Sequence, residues 1–416
     1  MITGMGIVAA VVLSLTLEPV TTAPQGDAQT VEVKADVAAV AAGGNAFGCE
    51  LYGRLREQKG NLFCSPVSIH TALAMTYAGA RGQTAEQMAG VLHFELPGER
   101  LHAAFAGLTK ELNSPPKIDE QDAYRLVVSN ALWMQKGFPF KEEFTSLVAA
   151  HYGAGLNQVD YVKFEEARKT INAWVEKATE EKIKDLIPVG VLDANTRLVL
   201  TNAIYFKSDW AHPFDKAATR EEDFLLADGG SVKVPLMRED MHVGYMETEE
   251  FQLVDLPYKG DVLSMTVLLP RKADGLEGLE KKLSAEALAE WIAKAQVTYV
   301  DVRVPKFKFT SEFGLSKQLV AMGMSDACDG ELADFSGMVA PEKGRLCISA
   351  VLHKAFVAVD EQGTEAAAAT AVIMGDTAVH QPPTVVFRAD RPFVFLIRHR
   401  ASGAILFLGR VANPAE

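Results

Sequence analysis

A chain of 416 residues, 48% apolar and 23% charged, is a folded protein rather than a disordered one, long enough for one large core or two smaller ones. Its net charge of −13 repels nucleic acid and anionic membrane surfaces, so neither is expected as a partner. Cys49, Cys64, Cys328 and Cys347 lack C-x-x-C spacing and the nine histidines show no tight ligand pattern, so buried free thiols are expected and no metal or other cofactor.

In chain order, the apolar run from Gly6 to Leu15, followed by Thr21-Thr22-Ala23, has the length and order of a signal peptide rather than a membrane span, although no Lys or Arg precedes it. Residues 1–23 are expected to be removed on export to an extracellular or periplasmic location. The polar stretch 24–36 lacks apolar periodicity and reads as a linker, and one folded domain is expected over 37–416. Apolar residues recur at helical spacing over 45–55. Residues 68–92 read as two helices broken at Gly79-Ala80-Arg81-Gly82, and a further helix over 99–112 is stopped by Asn113-Ser114-Pro115-Pro116.

From Tyr124 the pattern changes. The runs 124–134 and 197–206 suit central strands buried on both faces, with a helix-like stretch over 166–186 between them. Strands are predicted at 232–237, 242–246, 251–257, 263–269 and 299–309, interrupted by one helix over 278–294. The chain closes with strand-like 345–359, 385–388, 392–398 and 405–410. Helices first and large sheets later predict an α+β fold.

The segment from Asp360 to Pro383 belongs to neither pattern. Connections longer than about 12–15 residues are uncommon in compact domains and are usually functional or disordered. A surface helix or a flexible linker is the plain reading. Its composition is in conflict, however: Ala366-Ala367-Ala368-Ala369 favours helix, Thr370-Ala371-Val372-Ile373 can serve as strand, and Gly363 can act as a hinge. As a strand, its core-facing residues would be Thr364, Ala366, Ala368, Thr370, Val372 and Met374, all small or uncharged, with Glu365 on the opposite face. The sequence thus permits both an exposed loop and a buried strand.

At these residues the chain resembles the serpin family. The hinge Glu361-Gln362-Gly363-Thr364-Glu365-Ala366-Ala367-Ala368-Ala369-Thr370 looks like that of inhibitory serpins. Further blocks stand in family order: Asn61-Leu62-Phe63-Cys64-Ser65-Pro66-Val67-Ser68-Ile69, Gly79-Ala80-Arg81-Gly82-Gln83-Thr84, the run Leu200 to Trp210, and Ala389-Asp390-Arg391-Pro392-Phe393. The resemblance implies an α+β serpin fold of three β-sheets and about nine helices, with an exposed reactive-centre loop and a metastable native state. It implies no enzyme but a suicide-substrate inhibitor, monomeric, whose partner is a serine protease, or alternatively a cysteine protease, held as a covalent complex. Loop insertion of this kind is among the general switching transitions of proteins. A non-inhibitory serpin, acting as carrier, chaperone or structural protein, is the alternative.

Counting along the resemblance puts the reactive bond at Thr377-Ala378, and a register one residue shorter puts it at Asp376-Thr377. The first suits a protease that accepts a small β-branched residue, the second an Asp-specific enzyme. By the same resemblance Ser65, Ser68, Asn202 and His353 form the shutter beneath the opening sheet, and Trp210, Lys306 and Glu361 the breach where the loop first enters. A hydrolase built on Ser65, His70 and His353 is disfavoured because no G-x-S-x-G elbow is present. The helix over 99–112 offers only Arg100 and Lys110 as cations, so activation by glycosaminoglycan is not expected.

Overall fold

A computed structural model describes residues 25–153, 155–365 and 385–416. Helix α1 (Gln25–Leu55) is followed by strand β1 (Leu62–Cys64), α2 (Pro66–Tyr77), α3 (Gly82–Val91) and α4 (Gly98–Leu112). Helix α2 starts where it does because the Ser65 hydroxyl accepts the Ser68 N–H at 3.3 Å and Pro66 follows it, both good starting chemistry for a helix. A small hairpin of β2 (Lys117–Ile118) and β3 (Gln121–Asp122) leads into β4 (Tyr124–Gln135), α5 (Glu142–Tyr152), β5 (Gly155–Val159), α6 (Phe164–Ala178) and β6 (Leu198–Asp209). Next come β7 (Arg220–Leu225), β8 (Ser231–Glu247), β9 (Phe251–Pro257), β10 (Leu263–Pro270), α7 (Leu276–Glu280), α8 (Ala285–Lys294), β11 (Gln296–Pro305), β12 (Phe307–Gly314) and α9 (Ser316–Met322). The last strands are β13 (Ala350–Val359), β14 (Gly363–Thr364), β15 (Val385–Arg388), β16 (Phe393–His399) and β17 (Ile405–Val411).

Among the described residues these make nine α-helices and three sheets, an α+β architecture as the sequence predicts. The nine-stranded sheet runs β1-β17-β16-β10-β9-β8-β11-β15 with β7 on β8, the six-stranded sheet runs β12-β13-β14-β6-β4-β5, and the hairpin is the third. The main core joins the two large sheets: Phe63 of β1 stacks on Phe407 and Phe395 at 4.8 and 5.6 Å and meets Phe309 of β12 edge-on at 6.3 Å. A second apolar cluster, including Trp133, Tyr161, Ile171, Val175 and Val199, covers the other face of the six-stranded sheet beneath α6. Strands β4 and β6 are therefore covered on both sides, which is why their sequences read as unbroken apolar runs.

Several expectations need correcting. The stretch 24–36 is no linker, because α1 begins at Gln25; Arg100 of α4 grips Asp36 with two hydrogen bonds of 2.9 and 2.6 Å, and Val37, Val40 and Ala41 are buried just beyond. Its missing periodicity reflects exposure at 32–35 rather than a lack of structure. The strands at 232–237 and 242–246 are one strand, β8, and the helix at 278–294 is two, parted by 281–284. The single strand at 299–309 is also two: β11 pairs with β8 in one sheet and β12 with β13 in the other, the chain changing sheets at Lys306. Periodicity gives the faces of a strand but not its partner.

Candidate functional site

Strands β6 and β13 are parallel neighbours over Val199–Ile204 and Ala350–Ala355, and their register stops there. Beyond that point β14 lies between them, antiparallel to both, with Thr364 opposite Val359 on one side and Ser208 on the other. A tight hairpin delivers it. The Asp360 N–H donates to the Gly363 carbonyl at 2.9 Å, and the Asp360 carboxylate accepts the Gln362 N–H at 2.8 Å. The absence of a side chain at Gly363 is required by closeness: a Cβ there would sit 2.1 Å from the Ser208 carbonyl oxygen and 2.7 Å from the Asp209 Cα. Thr364 is buried, its hydroxyl 2.6 Å from the phenol oxygen of Tyr258. Glu365 points the other way and pairs with Lys182 in the segment after α6.

Around this hairpin stand Trp210, Lys306 and Glu361. Trp210 donates its indole N–H to the Asp360 carbonyl at 3.0 Å and its backbone N–H to the Gln362 carbonyl at 2.7 Å, and its ring stacks on Tyr258 at 4.5 Å. Glu361 is buried at 5% exposure, where its carboxylate accepts from the Lys306 ammonium at 2.9 Å and the Thr219 hydroxyl at 3.0 Å. Burial pushes this carboxyl up, but the Lys306 and Thr219 donors prevail and hold it below its ordinary value.

The second cluster lies about 20 Å further along β6, six residues at ~3.3 Å each. His353 of β13 faces Asn202 of β6 in register. Its Nε2 accepts the Ser65 N–H at 3.1 Å, so Nδ1 carries the proton and donates to the Asn202 side-chain oxygen. Asn202 donates in turn to the Ser68 hydroxyl at 2.6 Å and to the Asn130 side-chain oxygen Oδ1 at 2.5 Å, and the Ser65 hydroxyl donates to the Leu406 backbone carbonyl at 2.6 Å. Burial drives the His353 pKa down to about 3 against the upward pull of its Asn202 bond, so the imidazole is neutral at physiological pH.

All four residues expected at the shutter thus meet in one network, and all three expected at the breach in another. Of the expected hinge, Glu361, Gly363, Thr364 and Glu365 are described; Ala366, Ala367, Ala368, Ala369 and Thr370 lie outside the described residues, as do Asp376, Thr377, Ala378 and the expected signal peptide. Sequence reasoning did not find Asn130, Tyr258, Thr219, Asp360 or Lys182. For Asn130 a signal existed, a polar amide within the apolar run of β4, and Asp360 adjoins Glu361 in sequence; for Tyr258, Thr219 and Lys182 only folding brings them to the site. The Ser65 hydroxyl is spent on a backbone carbonyl and His70 is bonded instead to the Leu92 carbonyl at 2.8 Å, so neither forms a nucleophile–base pair with His353. Among the described residues no group of three or more potential ligands could hold a metal, and no helix is long and apolar enough to cross a membrane.

The fold and these two clusters define a class of protein whose six-stranded sheet has two strands parted at one end by the two-residue strand β14. The family model described as "Serpin (serine protease inhibitor)" matches residues 42–414, and the chain belongs to the serpin family. It is 40% identical over 377 residues to a leukocyte elastase inhibitor of Xenopus laevis, covering 88% of this chain and 97% of that one. Among solved structures it resembles Serpin48 of the insect Tenebrio molitor, described as highly specific, with a TM-score of 0.80 and 34% identity over 90% of this chain and 98% of that one. It also resembles human thyroxine-binding globulin in complex with thyroxine, with a TM-score of 0.82 and 32% identity over 92% of this chain and 100% of that one.

Proposed function

We propose that this serpin is an inhibitor that acts as a suicide substrate: a serine protease attacks the loop after Gly363, forms an acyl-enzyme, and is trapped when the cleaved loop enters the six-stranded sheet. The observation that carries this reading is β14, two residues of that loop already paired between β6 and β13, with small Thr364 inward and Glu365 outward. Continued in the same alternation, the sequence places only small or uncharged residues inward. A new strand of about a dozen residues gains ladder hydrogen bonds at roughly 0.5–1.5 kcal/mol each, on the order of 10 kcal/mol. A protease is typically stable by only about 5–15 kcal/mol, so insertion suffices to disorder part of a captured enzyme. In this reading Trp210, Lys306 and Glu361 hold the entry point, and Ser65, Ser68, Asn202 and His353 the strands that must part.

Incubation with elastase-like, subtilisin-like, Asp-specific serine and cysteine proteases, followed by denaturing electrophoresis and mass spectrometry, tests it. An SDS-stable complex with cleavage at Thr377-Ala378 is expected, with Asp376-Thr377 as the alternative bond. Cleavage without complex by every enzyme sinks the inhibitory reading. The likeness to thyroxine-binding globulin favours a second reading, a carrier. Heating after loop cleavage separates the two, since an inserting loop raises the melting temperature strongly. Export with loss of residues 1–23 is part of the same proposal, supported by the apolar run and the small residues after it, and is read from the amino terminus of the mature protein.

A further inference from the structure

Among the described residues, Glu365 has φ +50° where the chain leaves β14, and Glu180, Glu181 and Asp185 have +52°, +62° and +49° in the segment that follows α6 and supplies its ion-pair partner Lys182. A left-handed non-glycine residue is costly and persists only where its surroundings hold it. Lys182, flanked by the strained residues, forms an ion pair with Glu365 Oε1, and its ammonium also lies 5.9 Å from the ring centroid of Phe356 on β13. Glu365 itself donates its N–H to the Ala358 carbonyl at 2.7 Å, so its backbone is docked in the sheet although its φ is not that of a strand. Its second oxygen, Oε2, is buried with no hydrogen-bond partner among the described residues. The outward conformation is thus held, but not fully satisfied.

Growth of β14 past Thr364 requires Glu365 to exchange φ +50° for an extended value, which rotates its peptide and reorients its carboxylate. We propose that the Lys182–Glu365 pair is a latch: it stabilises the left-handed turn at Glu365 and so sets how readily the loop enters the sheet. Lys182 and Glu365 are positioning residues, and the inference rests on the inhibitory reading given above. The segment after α6 also packs Ile183, Leu186 and Ile187 into the apolar cluster on the six-stranded sheet.

The test compares the full-length mature chain with K182A, E365Q and the charge swap K182E/E365K. Uncleaved protein is warmed, and conversion to a more heat-stable form of unchanged mass is timed. K182A and E365Q should convert about threefold faster than the parent, the size expected of a partly exposed pair, and the swap should return towards the parental rate. Rates within experimental error of the parent for both single variants, or a swap no slower than either, overturn the latch, as does a parent that never converts. Complex formation with the protease panel is run in parallel. A parent that traps no protease yet shows these rate ratios keeps the latch and sinks the inhibitory reading.

Discussion

The hydroxyl of Thr364 and the phenol of Tyr258 stand 2.6 Å apart, on the loop root and at the end of β9, inside a site where Tyr258 is stacked on Trp210 at 4.5 Å. This contact holds the Thr364 side chain in the core. Thr364→Arg would force a guanidinium into that stack, at the desolvation cost of a buried charge. The loop should still be cut, but the SDS-stable complex should fall at least tenfold in favour of cleaved inhibitor, read as stoichiometry on denaturing gels. A variant that traps protease as well as the parent contradicts the proposed direction of entry.

At Gly363 the expected effect is steric. Gly363→Ala places a Cβ 2.1 Å from the Ser208 carbonyl oxygen, and backbone on both sides must shift. A loss of about 1–3 kcal/mol is expected, as for overpacking elsewhere in a core, together with release of β14 from β6. Urea midpoints measure the first. Faster hydrogen exchange at the Thr364 amide measures the second, and unchanged exchange there counts against it.

The ion pair between Lys306 and Glu361 is asymmetric, since the Lys306 side chain is 37% exposed and that of Glu361 only 7%. Removing Lys306 strands a buried carboxylate, whereas removing the charge of Glu361 leaves an ammonium that water can reach. Lys306→Ala should therefore cost more than Glu361→Gln, about 1–2 kcal/mol against under ~1 once screening by solvent is allowed for. Thermal melts of the two variants settle the order, and equal losses would contradict this account of the site.

Stability should fall on mild acidification. Burial lowers the pKa of His353 to about 3 and those of His70 and His102 to about 4, all well below 6.5 in the unfolded chain. A depressed folded pKa leaves stability intact above the unfolded value and removes it as pH falls towards the folded one. Each histidine contributes a slope of about 1.4 kcal/mol per pH unit between roughly pH 6 and 4. Urea midpoints across that window should show the combined slope, and His353→Asn should reduce it by one proton. An unaltered slope in that variant would mean that His353 is not the neutral buried base described.

Much of the fold was legible because it rests on local pattern. The apolar runs of β4 and β6 announced buried central strands, and Gly79 to Gly82 marked the gap between α2 and α3. Helix α5 was passed over, lying in a stretch where Phe144, Val148 and Tyr152 alone are buried. In α1 residues 32–35 are all exposed and so show no apolar stripe that would mark a helix. For the candidate site, residue types were informative where they broke a pattern, as His353 does in β13, but Tyr258, Thr219 and Lys182 sit in segments that look ordinary.

By itself the sequence determined which stretches alternate, which run apolar on both faces, and that the segment after Val359 can exist as loop or strand, since these follow from side-chain size and polarity at each position. Only the tertiary structure decided that β11 and β12 part to different sheets, that Gly363 is needed for closeness to Ser208, and that Glu365 meets Lys182. Those outcomes depend on which distant backbone arrives alongside, and periodicity carries no information about the neighbour.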